Sequence, residues 1–131
     1  MRVKHGIAAA AAAVLMLAAG AAAAGEMPGM IKSGNSTLGP VLTDAKGMTL
    51  YYFDKDVAGK SNCNGKCANA WPPLMAGAGA KAIDDFTIVV RDDGGKQWAH
   101  RGLPLYGWVK DEKPGDTTGH RFKNVWTVAQ P

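Results

Sequence analysis

The sequence predicts a small all-β domain, either an antiparallel sandwich or a partly open barrel, built from two pseudo-symmetric repeats. Short runs rich in aromatic and β-branched residues recur along the chain, and glycine- or proline-containing turn signals separate them. The pattern of residues 47–71 also returns at residues 102–126. The first two features are typical of antiparallel strands, and the third indicates a duplicated unit. Helix is expected at most as a single turn, at residues 76–82.

The segment 1–24 is interpreted as a cleaved secretory signal. Arg2 and Lys4 precede an alanine-rich run that ends in Ala22-Ala23-Ala24, the small residues that signal peptidases accept. The alternative is a retained anchor, since the run is about long enough to span a bilayer, but alanine is only weakly apolar. The mature chain, beginning near Gly25, is therefore expected to be periplasmic or secreted, with no membrane span of its own.

The rest of the chain is expected to form one domain. About 107 residues remain after the signal, which suits a single core. Residues 25–37 are expected to be a flexible mature N-terminus, and residues 38–131 a two-repeat β domain with units at about 38–75 and 86–131. Without Arg2 and Lys4, thirteen basic residues stand against eleven acidic ones, and they form no basic stripe. Nucleic acid is therefore not an expected partner, whereas an envelope ligand or protein is.

The repeat is found by placing residues 47–71 over residues 102–126 without gaps. Typical residue frequencies would give one or two identities by chance. Seven positions are identical: Gly47/Gly102, Leu50/Leu105, Tyr51/Tyr106, Lys55/Lys110, Asp56/Asp111, Asn69/Asn124 and Trp71/Trp126. The chain therefore contains two copies of one supersecondary unit.

Each copy begins with a strand followed by a turn. Alternation places Tyr51 and Phe53 on one side of the first strand, and Leu50 and Tyr52 on the other. Asp56 falls just past the strand, where its carboxylate can accept backbone N–H bonds and hold the turn. Tyr106, Trp108 and Asp111 repeat this pattern in the second copy.

The doubled pattern resembles a known family. Y-x-[F/W]-x-x-D, at Tyr51, Phe53 and Asp56 and again at Tyr106, Trp108 and Asp111, resembles the secreted-repeat family of predicted bacterial lipoproteins named for Yx(F/W/Y)xxD. The flanking GKSNCNGKCANAWPPL, KPGDTTG and VWTVAQP are similar to it too, so that the resemblance covers about 95 residues. It implies a bacterial envelope protein and no particular reaction. The chain departs from the lipoprotein pattern because no cysteine follows the predicted cleavage site for lipidation.

The two cysteines are expected to form a disulfide. Cys63 and Cys67 are the only cysteines of an exported chain, and Asn64-Gly65 supplies the tight turn that so short a loop needs. A redox-active pair is the alternative, but the CxxC spacing and βαβ setting of thioredoxin-like dithiols are both lacking. The disulfide is therefore interpreted as structural.

Four aromatic residues are candidates for stacking on a ligand: Tyr52, Trp71, Trp98 and Trp126. Most aromatic side chains should belong to the core of so small a β domain. Tyr52 is expected to be exposed, because the equivalent position in the second repeat is Gly107.

The sequence predicts neither a cofactor nor a metal centre. Candidate metal ligands are limited to two thioethers and two imidazoles, at Met27, Met30, His100 and His120, and nothing in the sequence brings them together. GxSxG and HExxH motifs are lacking, so no catalytic residues are assigned. The expected function is a non-catalytic binding or structural module of the periplasm. Two alternatives stay open: a copper- or other metal-binding protein, and a small hydrolase using Asp56 and Asp111 as a carboxylate pair.

Overall fold

The computed structural model describes residues 25–131 as an almost entirely β structure. The predicted signal, residues 1–24, lies outside these described residues. Strands and short helices follow one another in this order: β1 (Ile31–Ser36), β2 (Gly39–Asp44), β3 (Tyr51–Phe53), α1 (Lys66–Ala70), β4 (Phe86–Val90), β5 (Lys96–His100), β6 (Leu103–Pro104), a 3-10 turn (Phe122–Asn124) and β7 (Trp126–Val128).

The seven strands pair in three small antiparallel sheets. These are β1–β2, β3–β7 and the three-stranded β4–β5–β6, with β5 in the centre. The predicted turn between β4 and β5 forms over residues 91–95, where the N–H of Arg91 donates to the carbonyl of Gly95. A second turn joins β5 to β6 through Arg101 and Gly102, whose φ angles are 52° and 86°. Glycine adopts that left-handed conformation at no steric cost.

The two repeats exchange their last segments. In one half, backbone hydrogen bonds run from Leu42 to Ala129, from Ala129 to Leu50 and from Leu50 to Leu42. In the other half, matching backbone hydrogen bonds run from Trp98 to Leu74, from Leu74 to Leu105 and from Leu105 to Trp98. Ala129 comes from the second repeat and Leu74 from the first, so each repeat completes the backbone hydrogen bonding of the other.

A pseudo-twofold axis passes between Tyr51 and Tyr106. The N–H of Tyr51 donates to the carbonyl of Tyr106 at 2.8 Å, and the N–H of Tyr106 donates back to Tyr51 at 3.0 Å. Strand β7 pairs with Tyr51 through Val128, and Pro73, the residue equivalent to Val128 in the first repeat, pairs with Tyr106. The axis therefore relates the two copies of the motif directly.

This central layer separates two cores. Alternation along β3 sends Leu50 and Tyr52 into an aliphatic core, and Tyr51 and Phe53 into an aromatic core, as the sequence predicts. The aliphatic core also contains the buried residues Ile31, Leu42, Phe86, Trp98, Leu105 and Ala129. The aromatic core contains Val41, Cys63, Trp71, Tyr106, Trp126 and Val128. The predicted all-β class is confirmed, as a small layered sandwich of three open sheets.

Two local features differ from the sequence-based expectations. Residues 25–37 are expected to be flexible, yet Ile31–Ser36 forms β1, fully paired with β2, and Ile31 is buried. The polar sequence gave no sign of this strand because Ile31 is the one buried residue of its six. Helix is expected only at residues 76–82, whereas α1 begins one residue before Cys67 and ends at Ala70, and the carbonyl of Cys67 accepts the N–H of Trp71. Within residues 25–131, no helix has the length and apolar character needed to span a membrane.

Candidate functional site

The two motif tyrosines are hydrogen-bonded to the aspartates of the opposite repeat. The Tyr51 hydroxyl donates to Asp111 at 2.6 Å, and the Tyr106 hydroxyl donates to Asp56 at 2.7 Å. Both tyrosines are fully buried, and this burial raises the pKa of each phenol above its ordinary value. The spacing of the motif follows from this exchange, because the short turn after the strand curls each aspartate back towards the axis.

The second oxygen of each aspartate holds a turn within its own repeat. Asp56 accepts the N–H of Asn62 at 2.6 Å. Asp111 accepts both the N–H and the hydroxyl of Thr118, at 3.0 and 2.6 Å. These are the contacts that the turn-holding interpretation expects. Each carboxylate therefore has hydrogen-bond donors on both oxygens, one set local and one from across the axis.

The aromatic residues of both repeats form one continuous stack of four rings. In order, the rings are Phe53, Trp126, Trp71 and Trp108, with centroid separations of 4.4, 3.7 and 3.9 Å. Tyr51 meets Trp71 edge-on, and Tyr106 meets Trp126 in the same way. A side chain at Gly119 would come within 2.6 Å of the Trp71 ring, so this close approach requires glycine.

Three of the four predicted ligand-stacking residues lie in the two cores. Trp71 and Trp126 are each 3% exposed and have protein rings on both faces. Trp98 is also buried, and its indole N–H donates to the thioether of Met30 at 3.0 Å. Tyr52 is half-buried rather than exposed, because its ring packs against the aliphatic core.

The predicted disulfide is confirmed, with an S–S distance of 2.07 Å between Cys63 and Cys67. A buried arginine fixes the loop that it closes. The Arg91 guanidinium donates to the carbonyl of Cys63 at 2.8 Å and to the hydroxyl of Ser61 at 3.0 Å. Ser61 in turn is hydrogen-bonded to the hydroxyl of Tyr106. The loop is thereby connected to the Tyr106–Asp56 pair.

The duplication separates residues that the fold needs from residues that it does not. Tyr51 and Asp56 have equivalents in the second repeat that make equivalent contacts. The half-buried Tyr52 and the buried His100 form a polar pair that has none, because Gly107 replaces Tyr52 and Asp44 occupies the strand position equivalent to His100. Burying polar groups costs free energy. A single, unduplicated polar pair is therefore the strongest candidate for function.

The Tyr52 hydroxyl lies 2.6 Å from Nδ1 of His100, and the two rings are nearly parallel. His100 is only 3% exposed, and the Phe86 ring packs against it with a centroid separation of 4.7 Å. Burial, together with the nearby Arg101, holds the pKa of His100 below its ordinary value, while burial raises the pKa of Tyr52 to about 12. Both groups are therefore neutral at physiological pH, and within residues 25–131 no hydrogen bond uses Nε2 of His100.

His100 and Phe86 line a cleft of about 490 Å³. Apolar side chains, including Leu42 and Met27, contribute to its walls. Among residues 25–131, three carboxylates line it, at Glu26, Asp84 and Asp85, together with one cation, Arg101, which is paired with Asp85 at 3.5 Å. The cleft therefore has the rings of His100 and Phe86 in its wall, and the carboxylates around it give it a net negative charge.

The four candidate metal ligands are only partly brought together. Met27 and His100 line this same cleft, whereas Met30 accepts the N–H of Trp98. His120 lies elsewhere, where its Nδ1 accepts the N–H of Val128 at 3.2 Å. Within the described part of the chain, no group of three or more His, Cys, Asp or Glu residues is placed to hold a metal ion.

The sequence did not predict the buried polar cluster around Arg91. Gln97 is fully buried, accepts a hydrogen bond from Arg91 at 2.7 Å and donates to the carbonyl of Leu105. Gln97 shares one face of β5 with Ala99 alone, and the other face holds Lys96, Trp98 and His100, so the alternation of the strand gave no signal of its burial. For the Tyr52–His100 pair the sequence did contain a signal: the second repeat has Gly107 at the position equivalent to Tyr52, which indicates that the fold does not require the tyrosine.

Comparison with known proteins agrees with this architecture. Residues 32–75 and 87–130 each match a family described as a secreted repeat of unknown function. No curated protein and no solved structure matches the chain. The two matched stretches cover more than half of the sequence and correspond to the two halves related by the Tyr51–Tyr106 axis. The prediction of a secreted two-repeat protein is confirmed, and the chain belongs to this family of secreted repeats.

Proposed function

We propose that this exported protein is a non-catalytic binding module of the bacterial periplasm, and that its ligand occupies the cleft lined by His100, the hydrogen-bond partner of Tyr52. The observation that carries the proposal is that the buried His100, paired with Tyr52, lines this cleft and occurs in one repeat only. Membership of a secreted family supports an extracytoplasmic site of action. The duplicated motif then serves as the rigid frame of the module.

The shape and charge of the cleft favour a small ligand that carries a positive charge. Met27, which is exposed, offers an apolar contact beside the edge of Phe86, and Nε2 of His100 is free of hydrogen bonds from residues 25–131. The carboxylates of Glu26 and Asp84 attract a cationic group. A few polar groups in an apolar cleft are typical of small-molecule sites. An amine-bearing fragment of the cell wall has the required chemistry.

Catalysis by the motif carboxylates is less favoured. A carboxylate pair works as acid and base when its two members have different environments and face one substrate. Asp56 and Asp111 are 8% and 9% exposed, and their oxygens accept hydrogen bonds from buried tyrosines and from the backbone. Their contacts support a structural role rather than hydrolysis.

The proposal is tested by calorimetric titration of the full-length exported protein with peptidoglycan fragments bearing free amines. We expect saturable binding that His100→Gln weakens at least tenfold, equivalent to about 1.4 kcal/mol. His120→Gln is the matched control, because His120 lies outside the cleft. Absence of binding, or an equal loss in both variants, would contradict the proposal.

Metal binding is a second candidate, favoured by the presence of Met27 and His100 in the same cleft. A neutral imidazole and a thioether suit Cu(I). Dialysis after loading with Cu(I) or Zn²⁺, followed by metal analysis, distinguishes this candidate from the amine-binding one. Stoichiometric copper that Met27→Leu and His100→Gln each abolish would support the metal site, and retention below stoichiometry would contradict it.

A further inference from the structure

The two ends of the aromatic stack differ in how readily they lose an electron. Trp108 and Phe53, its two outer rings, are both half-buried, whereas the two rings between them are buried. Indole loses an electron far more readily than the phenyl ring of phenylalanine. The motif position that the two repeats fill differently therefore makes the stack directional, with Trp108 as its oxidisable surface end.

From Trp108 the shortest route leads to Tyr51. The Trp108 and Trp71 rings are stacked with a centroid separation of 3.9 Å, and Tyr51 meets Trp71 edge-on at 5.3 Å. Tyr106 is one ring further away, since it contacts Trp126 rather than Trp71. Ring contacts of this length allow an electron to pass from one side chain to the next in short steps.

Tyr51 also has a proton acceptor in place. A phenol that loses an electron becomes a very strong acid, so its oxidation is easy only where the proton can leave at the same time. The Asp111 carboxylate lies 2.6 Å from the Tyr51 hydroxyl and can take that proton without movement of either residue. The same carboxylate is held by Thr118, which fixes its position.

The other tyrosine of the pair is less suited to carry the oxidising equivalent. Tyr106 also has a carboxylate partner, Asp56, but the buried Arg91 guanidinium lies nearby, hydrogen-bonded to the same Ser61 hydroxyl that Tyr106 contacts. A neighbouring positive charge opposes the removal of an electron. Tyr51 has no arginine or lysine among its hydrogen-bond partners in residues 25–131.

We propose that Trp108, Trp71 and Tyr51 form a one-electron relay, in which an oxidising equivalent taken up at Trp108 comes to rest on Tyr51 with the proton on Asp111. A diffusible one-electron oxidant, such as an organic peroxyl radical, takes one electron from Trp108 and is itself reduced by one electron. Trp71 then donates an electron to the oxidised Trp108, and Tyr51 donates an electron to the oxidised Trp71. The phenolic proton passes to Asp111, leaving a neutral tyrosyl radical and a protonated carboxyl group.

A one-electron reductant of the ascorbate or quinol class closes the sequence. It returns one electron to Tyr51, and Asp111 returns the proton to the phenolate oxygen as the electron arrives. Each turn therefore moves one electron from the reductant to the oxidant and leaves the protein unchanged. The relay would spare the half-buried Trp108 irreversible oxidation by moving the oxidising equivalent to Tyr51, whose reduced form is restored by the returning electron and proton.

The experiment is flash photolysis of the full-length exported protein with a ruthenium polypyridyl photo-oxidant and a sacrificial electron acceptor. Transient absorption and freeze-trapped electron paramagnetic resonance then report which radical forms. The chain has three tyrosines, so the variants Tyr51→Phe, Tyr52→Phe and Tyr106→Phe assign the radical completely. Tyr106→Phe is the matched control, since it removes an equivalent tyrosine–aspartate bond.

We expect a tryptophan radical followed by a tyrosyl radical in the wild type, in Tyr52→Phe and in Tyr106→Phe. Tyr51→Phe should lose the tyrosyl signal and accumulate the tryptophan radical. Trp108→Phe, which reproduces the residue at the equivalent position in the first repeat, should lose most of both signals. A tyrosyl signal that survives Tyr51→Phe, that Tyr106→Phe abolishes, or that Trp108→Phe leaves unchanged would overturn the relay.

Asp111→Asn keeps Tyr51 and tests the proton step directly. The amide is a far weaker base than the carboxylate, so we expect the tyrosyl radical to form more slowly, with the tryptophan radical living longer. The wild-type rate should also fall in D₂O, because the proton moves with the electron. A rate unchanged by both Asp111→Asn and D₂O would exclude Asp111 as the acceptor and overturn the proposal.

Discussion

The surroundings of Asp56 and Asp111 show how one fold is held in two ways. Each aspartate accepts the hydroxyl of the opposite tyrosine and a backbone N–H of its own turn. Around Asp56 the turn is fixed by the disulfide loop, Arg91 and Ser61. Around Asp111 the turn is fixed by Thr118 instead, and within residues 25–131 neither a disulfide nor an arginine side chain is bonded to this turn. The tyrosine–aspartate exchange is thus the shared requirement, and the means of holding the turn is free to differ.

The same comparison supports the proposed ligand site. Beside the aliphatic core, one half carries the half-buried Tyr52 hydrogen-bonded to the buried His100, and the equivalent of Tyr52 in the other half is Gly107. The fold is therefore stable with a glycine at that position. Whatever the pair contributes is additional to the architecture, which is why the cleft rather than the motif is proposed as the ligand site.

The largest expected effect comes from breaking the exchange between the halves. A chain ending at Val125 lacks Trp126 and Ala129, which complete the aromatic core and the Leu42–Leu50 hydrogen bonding. We expect this chain to lose cooperative unfolding in urea altogether, since neither half retains a complete core. Removing only Gln130 and Pro131, both exposed, is the control and should leave the transition nearly unchanged. A cooperative transition in the shorter chain would show that the halves fold independently.

The next largest effect is expected at the two central tryptophans. Trp71→Ala and Trp126→Ala should each lower the free energy of unfolding by about 3–5 kcal/mol, the usual cost of deleting a large buried aromatic. The two losses should be similar, because each ring stacks on the other and meets one motif tyrosine edge-on. Val90→Ala, at a side chain that is 62% exposed, is the control. Losses near zero at either tryptophan would contradict a core role.

Strand alternation, turn residues and the repeat were enough to predict the fold class and the two faces of β3. They could not predict which strands pair, because the exchange of Leu74 and Ala129 joins residues that are distant in sequence. For the same reason the sequence indicated that Asp56 holds a local turn but did not reveal Tyr106 as its second partner. Arg91 was missed because a charged residue beside a turn is ordinarily exposed.

Alanine substitution of either motif aspartate should have an intermediate effect on the free energy of unfolding. Asp111→Ala leaves the buried Tyr51 hydroxyl without its acceptor, at a cost of about 1–3 kcal/mol in the free energy of unfolding. Asp56→Ala does the same to Tyr106 and also removes a negative charge near the buried Arg91, so its cost should be larger. Asparagine at either position should recover part of the loss. Denaturant melts of the four variants provide the measurement, and an equal cost at both sites would show that Arg91 does not distinguish the halves.

The smallest expected effect is a pH dependence from His100. Burial holds its pKa in the folded protein below the ordinary value of about 6.5. In the unfolded chain the imidazole takes up a proton first as the pH falls, which favours unfolding. The contribution of His100 to stability is therefore complete above about pH 6.5 and is lost as the pH falls towards the lower folded pKa.

Removing the imidazole should remove this part of the pH dependence. At about pH 8, where the group is neutral in both states, the difference between wild type and His100→Gln measures only packing and hydrogen bonding. On lowering the pH to about 5, the wild type should lose more stability than the variant, so the two should converge. Urea melts of both proteins at the two pH values provide the measurement, and the comparison does not require a numerical pKa for His100. Parallel losses in the two proteins would mean that His100 titrates alike in the folded and unfolded chains, and that its burial imposes no preference for the neutral form.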